Sequence, residues 1–246
     1  MNPYEAPKLV AEYLLLHYGS AADVLGGMPG PAEAAGFPVR LVRELLAPCP
    51  PESRALDLGC AVGASSFELA RHCREVVGID FSRAFVRAAK TLRETGEHAY
   101  EKLVEGTLAE PAMARLPGDV GRSRVTFSQG DAQALPAELN DFDVVLAANL
   151  ICRLPDPQRF LDRLPTLVTP GGQLLLTTPF TWLEEFTPRE KWIGGTPASG
   201  RSLDVLHDRL APHFTLEHTV DLPFLIREHS RKFQYGVALG TRWRSR

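Results

Sequence analysis

Leu56-Asp57-Leu58-Gly59-Cys60-Ala61-Val62-Gly63 is a short apolar run that breaks into a glycine-punctuated turn. Ala55 to Leu58 has the length and composition of a buried strand, and Ser66-Phe67-Glu68-Leu69-Ala70-Arg71 beyond the turn begins a helix. The unit then repeats. Glu75 to Asp80 is a second strand, followed by a helix that Ser82 would cap. Arg124 to Asp131, Asp143 to Asn149 and Gln173 to Thr178 read as three more strands, with a helix from Arg159 to Leu167 before the Pro170-Gly171-Gly172 turn. Strands alternating with helices make parallel βαβ units, and these form an open sheet covered on both faces, an α/β fold. Residues 4 to 47 read as mostly helical, broken by Gly26-Gly27-Met28-Pro29-Gly30-Pro31. They are expected to form an N-terminal extension or lid (1–47) on a core spanning 48–246, within a single domain of 1–246. Residues 91 to 123 read as a long polar stretch that leans to helix.

Of 246 residues, 44% are hydrophobic and 23% charged, enough apolar material to bury a core, so disordered, collagen-like and coiled-coil readings are excluded. With 27 Lys+Arg against 30 Asp+Glu the net charge is −3, which lacks the basic field that nucleic-acid binding draws on. No apolar run reaches the roughly 18 to 20 residues that span a bilayer, and no basic flank precedes a cleavable apolar stretch. A cytoplasmic protein with no membrane partner is expected. Cys49, Cys60, Cys73 and Cys152 lack a CxxC pair or zinc-like spacing, and His17 and His229 lack partners, so no metal is expected.

In an open parallel sheet, ligands bind beyond the carboxyl ends of the strands, and the first turn supplies the glycines. Gly59 and Gly63 lack the β-carbon that would block close approach of a cofactor. Asp80 ends the next strand about 20 residues on, where a carboxylate accepts both hydrogens of a ribose diol. Asp131 ends the third strand and can accept an adenine amine. Ile79, Phe81, Ala132 and Leu135 are candidate walls for that ring. A dinucleotide site prefers G-x-G-x-x-G, yet position 61 is Ala, and Asp57 would repel a pyrophosphate while attracting a sulfonium or ammonium group. The residues therefore favour S-adenosylmethionine over NAD. A nicotinamide-dependent oxidoreductase and a non-catalytic adenosine-binding module are the alternatives.

As a set, D-x-G-C-x-x-G at 57–63, Gly78-Ile79-Asp80, Gly130-Asp131-Ala132 and Pro170-Gly171-Gly172 resemble the class I S-adenosylmethionine-dependent methyltransferases over roughly residues 50 to 180. The resemblance implies a Rossmann-like, seven-stranded, mostly parallel sheet with an antiparallel last strand. It also implies a loop between the sixth and seventh strands that opens on the cofactor side. The cofactor residues would be Asp57, Gly59, Cys60, Ala61, Gly63, Asp80, Phe81, Asp131, Ala132 and Asn149. A narrower likeness runs through Tyr13–Gly19, Leu56–Ala70, Ala147–Pro157, Thr181–Pro188 and Phe224–Gln234. These stretches resemble the methyltransferase domain at the C-terminus of ovothiol synthases, the mercaptohistidine (thiohistidine) N-methyltransferases. The likeness implies methylation of the imidazole of thiohistidine in ovothiol biosynthesis, after a separate iron-dependent sulfoxide synthase, by a stand-alone enzyme or a fragment. Another small amine or histidine derivative is the alternative acceptor.

The residues themselves agree with a small zwitterion. Arg153 follows the fourth strand and can pair with a carboxylate or thiolate. Trp182, beside Glu184 and Glu185, suits an imidazole with an ammonium tail. Arg227, Glu228, His229 and Lys232 lie between two apolar strands. With Tyr13, His17 and Tyr18 of the N-terminal segment, Arg153, Trp182, Arg227 and Lys232 are the expected substrate residues. The expected chemistry is in-line displacement, with catalysis by positioning, desolvation and choice of tautomer. Glu184, Glu185, Glu228 and His229 are the candidates for holding the second ring nitrogen.

Overall fold

The structure is a computed structural model that describes residues 2–246. Three helices lead: α1 (Pro7–Tyr18), α2 (Ala21–Leu25) and α3 (Phe37–Leu45). A capping box between Ser20 and Asp23 opens α2, and Gly26, in the left-handed region at φ 59°, closes it. Helix α3 buries Phe37, Leu41, Val42 and Leu45, a stripe at helical spacing. Next come β1 (Arg54–Leu58), α4 (Ala64–Leu69), β2 (Glu75–Asp80) and α5 (Arg83–Thr95). The Ser82 hydroxyl accepts from the Phe85 N–H at 3.1 Å, as expected of a cap.

Residues 97 to 115 depart from the helical expectation. Gly96, at φ 85°, ends α5, and the chain turns back as a two-stranded hairpin, β3 (Glu97–Glu105) and β4 (Leu108–Arg115). The reason is a period-two pattern hidden in polar sequence: His98, Tyr100 and Lys102 are half-buried while Glu97, Glu101 and Glu105 face out.

The chain continues through β5 (Val125–Gln129), β6 (Phe142–Ala148), α6 (Pro157–Leu167), β7 (Val168–Thr178), α7 (Ser202–Leu210), β8 (Phe214–His229) and β9 (Lys232–Ser245). The seven-stranded sheet has the order β5-β2-β1-β6-β7-β9-β8. Its central pairings are parallel, and β9 runs antiparallel to both β7 and β8. Strand order reverses between β1 and β6, so a crevice opens beyond their carboxyl ends. Alternate strand residues feed two apolar layers. Ala55 and Val144 join Phe67, Phe85 and Leu41 on one face, and Leu56 and Val145 join Phe160, Leu206 and Trp243 on the other. Among the described residues, no helix is long and apolar enough to cross a membrane.

Candidate functional site

The turn after β1 is pinned to the end of β2, where the N–H groups of Gly59 and Cys60 both donate to the Ile79 carbonyl, at 2.8 and 3.2 Å. Gly59 and Gly63 sit at φ 72° and 94°, and Ala61 between them is also left-handed, at φ 47°. An L-residue in that region stores strain of order 1 kcal/mol, which persists where the surroundings over-determine it. Here the Ala61 N–H donates to Asp80 Oδ2 at 2.9 Å, tying turn to carboxylate. Gly63 serves packing as well as cofactor approach, because a β-carbon there would lie 2.7 Å from the Phe127 ring.

Asp57 is buried at 1% exposure. Its Oδ2 accepts from Ser66 Oγ at 2.6 Å, while Oδ1 is buried without a partner. Burial pushes its carboxyl up to about 7, the Ser66 bond opposing and the nearby Asp80 adding to the rise. An orphaned carboxylate oxygen behind a glycine turn suits a ligand ammonium. Asp80 lies half-buried at the end of β2, its Oδ1 accepting from the Ser82 N–H at 2.8 Å. Burial pushes it up to about 6 against the pull of the two N–H donors. Both oxygens keep a lone pair for a diol. Asp131 Oδ1 accepts from the Gln133 N–H at 2.8 Å, Ala132 is buried beside it, and Phe81 is exposed at the rim. Cys60 is buried, its thiol held up by burial. Asn149, at φ 51°, is engaged by Thr177: its N–H donates to the Thr177 carbonyl and its Oδ1 accepts from the Thr177 hydroxyl.

Helix α1 docks onto this turn. The Tyr18 hydroxyl donates to the Val62 carbonyl at 2.6 Å, and His17 Nδ1 accepts the Ala64 N–H at 3.3 Å at the start of α4. Burial drives the His17 imidazole down to about 3, so it is neutral with its proton on Nε2. Tyr13 packs against Phe85 at 4.7 Å between centroids, and burial raises its phenol. Arg153 follows β6, its Nη1 donating to the Cys152 and Thr181 carbonyls at 3.0 and 3.1 Å, with its guanidinium 4.8 Å over the Phe186 ring.

Other expected substrate and catalytic residues have different work. Trp182 gives its indole N–H to Ser202 Oγ and stacks on Trp192, because the chain after β7 folds down onto the start of α7. Arg227 is buried, with Nη1 donating to the Asp23 and Val24 carbonyls at 3.2 and 3.3 Å, so it caps the end of α2. Glu228 pairs with Lys232 at 2.7 Å and accepts from Gln234, and His229 Nδ1 accepts the Arg231 N–H. The expected open loop is a tight hairpin: Ser230 donates through both N–H and Oγ to the Val104 carbonyl of β3. Glu184 and Glu185 are exposed on the turn that carries Phe186. A cavity of about 630 Å³ lies between α1, α5, β3 and the β8–β9 hairpin, lined by Lys8, Glu12 and Glu228 on the side of α1 away from His17. It is not the crevice, whose glycine turn and acidic residues it does not touch. Among the described residues, no group of three His, Cys, Asp or Glu could hold a metal ion.

Three aromatic residues that the sequence reading did not single out pack beside Tyr13 and Arg153: Tyr4, Phe85 and Phe186. Tyr4 belongs to a short helical turn, Pro3–Glu5, capped by Asn2, whose Asn-Pro signature was legible in the sequence. The Glu5 carboxylate accepts from the N–H groups of Arg83 and Ala84 at the start of α5, and Ser82 Oγ donates to the Tyr4 carbonyl.

The sheet order is that of the Rossmann-like fold of class I S-adenosylmethionine-dependent methyltransferases. The family model described as a methyltransferase domain matches residues 56–176. A ubiquinone biosynthesis O-methyltransferase of Coxiella burnetii is 27% identical over 123 residues, 50% of this chain and 42% of that protein. The chain thus spans less than half the length of that curated relative. Among solved structures, an S-adenosylmethionine-dependent methyltransferase from Methanosarcina mazei is 18% identical, with a TM-score of 0.53 over 80% of this chain and 94% of its own. The [4+2]-cyclase SpnF gives 0.55 at 17% identity, over 98% of this chain and 96% of its own. At these identities the likeness is one of fold.

Proposed function

We propose that this protein methylates a ring nitrogen of a small zwitterionic imidazole, and that thiohistidine, named by the sequence resemblance, is its acceptor. The observation that carries the cofactor half of this reading is the Asp57 oxygen, buried and unpartnered behind a strained turn whose neighbour Asp80 keeps lone pairs for a diol, while the acceptor half rests on the sequence resemblance. When bound there, S-adenosylmethionine would supply a sulfonium methyl that an imidazole nitrogen takes by in-line displacement, leaving S-adenosylhomocysteine. Asp57 would hold the cofactor ammonium, Asp80 the ribose and Asp131 the adenine amine, with Gly59 and Gly63 allowing close approach. Neutral His17 and Tyr18 fix α1 over the turn and exclude water. Arg153 faces an anionic group of the acceptor. Glu184 and Glu185, beside Phe186, are the candidates for holding the second ring nitrogen and so setting the tautomer. The acceptor would come from a separate sulfoxide synthase reaction.

Mass spectrometry of a reaction offering thiohistidine, histidine, histidinol and a catechol side by side tests this. The expected product is N-methylated thiohistidine, formed with one equivalent of S-adenosylhomocysteine and favoured over histidine by about 100-fold or more in kcat/KM. Methylation of the catechol instead would move the protein to the O-methylating chemistry that the relatives' name states.

A further inference from the structure

Three segments distant in sequence meet above the carboxyl ends of β2 and β6. The Tyr4 ring stacks on Phe186 with centroids 6.4 Å apart and planes 25° apart, and meets Tyr13 edge-on at 6.0 Å and Phe85 at 5.7 Å. On the Phe186 ring also rests the Arg153 guanidinium. Backbone carbonyls hold Arg153 by one nitrogen, Nη1, which fixes the plane of the fork while the rest of its donors stay uncommitted to those carbonyls. Tyr4 is fixed in turn by the Ser82 and Glu5 contacts with the start of α5. Burial raises the Tyr4 phenol, and the Arg153 guanidinium and the Tyr13 hydroxyl beside it oppose that rise. Two phenols and one guanidinium therefore converge within a wall of aromatic rings, and among the described residues no carboxylate forms an ion pair with Arg153.

We infer that Tyr4, Tyr13 and Arg153 form an anion hole for the acceptor, with Phe186 and Phe85 as its ring walls, so that the site selects a flat ring carrying a carboxylate or thiolate. The inference rests on the methyltransferase reading above and narrows its acceptor. The physical basis is differential: a half-buried fork and two half-buried hydroxyls that otherwise partner one another gain little from a neutral ring, while an anion accepts from all three. The N-terminal turn then completes the acceptor site, since Tyr4 reaches the crevice only while Glu5 and Ser82 hold it across the start of α5.

Calorimetry on the full chain saturated with S-adenosylhomocysteine tests this with two probes of equal shape, imidazole-4-carboxylate and imidazole-4-carboxamide. Wild type is expected to bind the carboxylate more tightly than the amide by about tenfold or more, and Arg153→Gln to erase that preference. Tyr4→Phe, which keeps the ring, should weaken the carboxylate by about threefold to tenfold and the amide by less than about twofold. Tyr4→Leu should weaken both. Adding 4-mercaptoimidazole separates a thiolate from a carboxylate preference. Equal binding of carboxylate and amide by wild type, equal losses for both in Arg153→Gln, or no binding of any probe to the cofactor-product complex overturns the anion hole. Failure of S-adenosylhomocysteine itself to bind wild type would instead sink the methyltransferase reading, and is measured first.

Discussion

Two segments of this chain turn between strand and next element with polar side chains at hand, the turn from Asp57 to Ser66, where Asp57 is the one charged residue, and the β8–β9 hairpin tip from Arg227 to Lys232, where every residue is polar or charged. They do opposite things. In the turn, groups are left in want of partners: Asp57 Oδ1 is buried and unmatched, and Ala61 holds a strained backbone. At the hairpin tip most polar groups are engaged within the protein, Arg227 Nη1 on the end of α2, Glu228 on Lys232 and Gln234, and Ser230 on Val104, and the one buried atom left without a partner, Arg227 Nε, belongs to a guanidinium already held by two carbonyls. Unmatched buried polarity is costly and marks a site that a ligand completes, whereas satisfied polarity marks a clamp. The hairpin fastens the N-terminal layer, and the turn presents an unmatched carboxylate oxygen.

The largest expected effect breaks this contrast if the turn is merely a binding feature. Gly63→Val places a branched side chain at φ 94° and its β-carbon against Phe127, so a stability loss of about 3 kcal/mol or more is expected by denaturant titration. A variant with wild-type stability would mean that the turn relaxes freely.

At the hairpin, Arg227→Ala removes two charge-assisted bonds from the end of α2 and should cost about 2 to 3 kcal/mol of stability. Its affinity for S-adenosylhomocysteine, once folded, should stay within about twofold of wild type. A large loss of affinity with intact stability would return Arg227 to the site.

A pH series sharpens the turn's side of the comparison. Burial raises Asp57 to about 7 and Asp80 to about 6, so the ligand-free protein favours their protonated forms. Their contribution to stability is present below about pH 4 and is lost as pH rises through about 6 to 7. A cofactor ammonium favours the ionised Asp57, so affinity for S-adenosylhomocysteine should rise by about tenfold between pH 6 and 8. Calorimetry at the two pH values checks it, and Asp57→Asn should flatten the rise.

Smallest of all, Glu228→Gln loses one surface ion pair, with an expected stability change under about 0.5 kcal/mol and turnover within about twofold. A steep fall in kcat would make Glu228 a catalytic residue after all.

The sheet was legible because short apolar runs and glycine turns are local signals, and the same locality exposed Asp57, Asp80 and Asp131, each tied to the end of a strand. The hairpin over 97 to 115 was obscured because its alternation runs through polar residues, where burial on one face depends on α1 and α5 packing against it. The charges of Arg227 to Lys232 could not be sorted from sequence, since their partners Asp23 and Val104 lie far away along the chain.

What the sequence determined by itself was therefore the parallel α/β sheet and the acidic strand ends of an S-adenosylmethionine crevice, because strand period and turn chemistry are set by neighbouring residues. What only the tertiary structure decided was which polar groups are free to meet a ligand. Tyr4, Arg153 and Phe186 converge because the N-terminal turn, the end of β6 and the loop after β7 are brought together by packing. Trp182, one strand-end away, is drawn instead to Ser202. A side chain's availability is a property of its three-dimensional neighbours, and no local pattern encodes it.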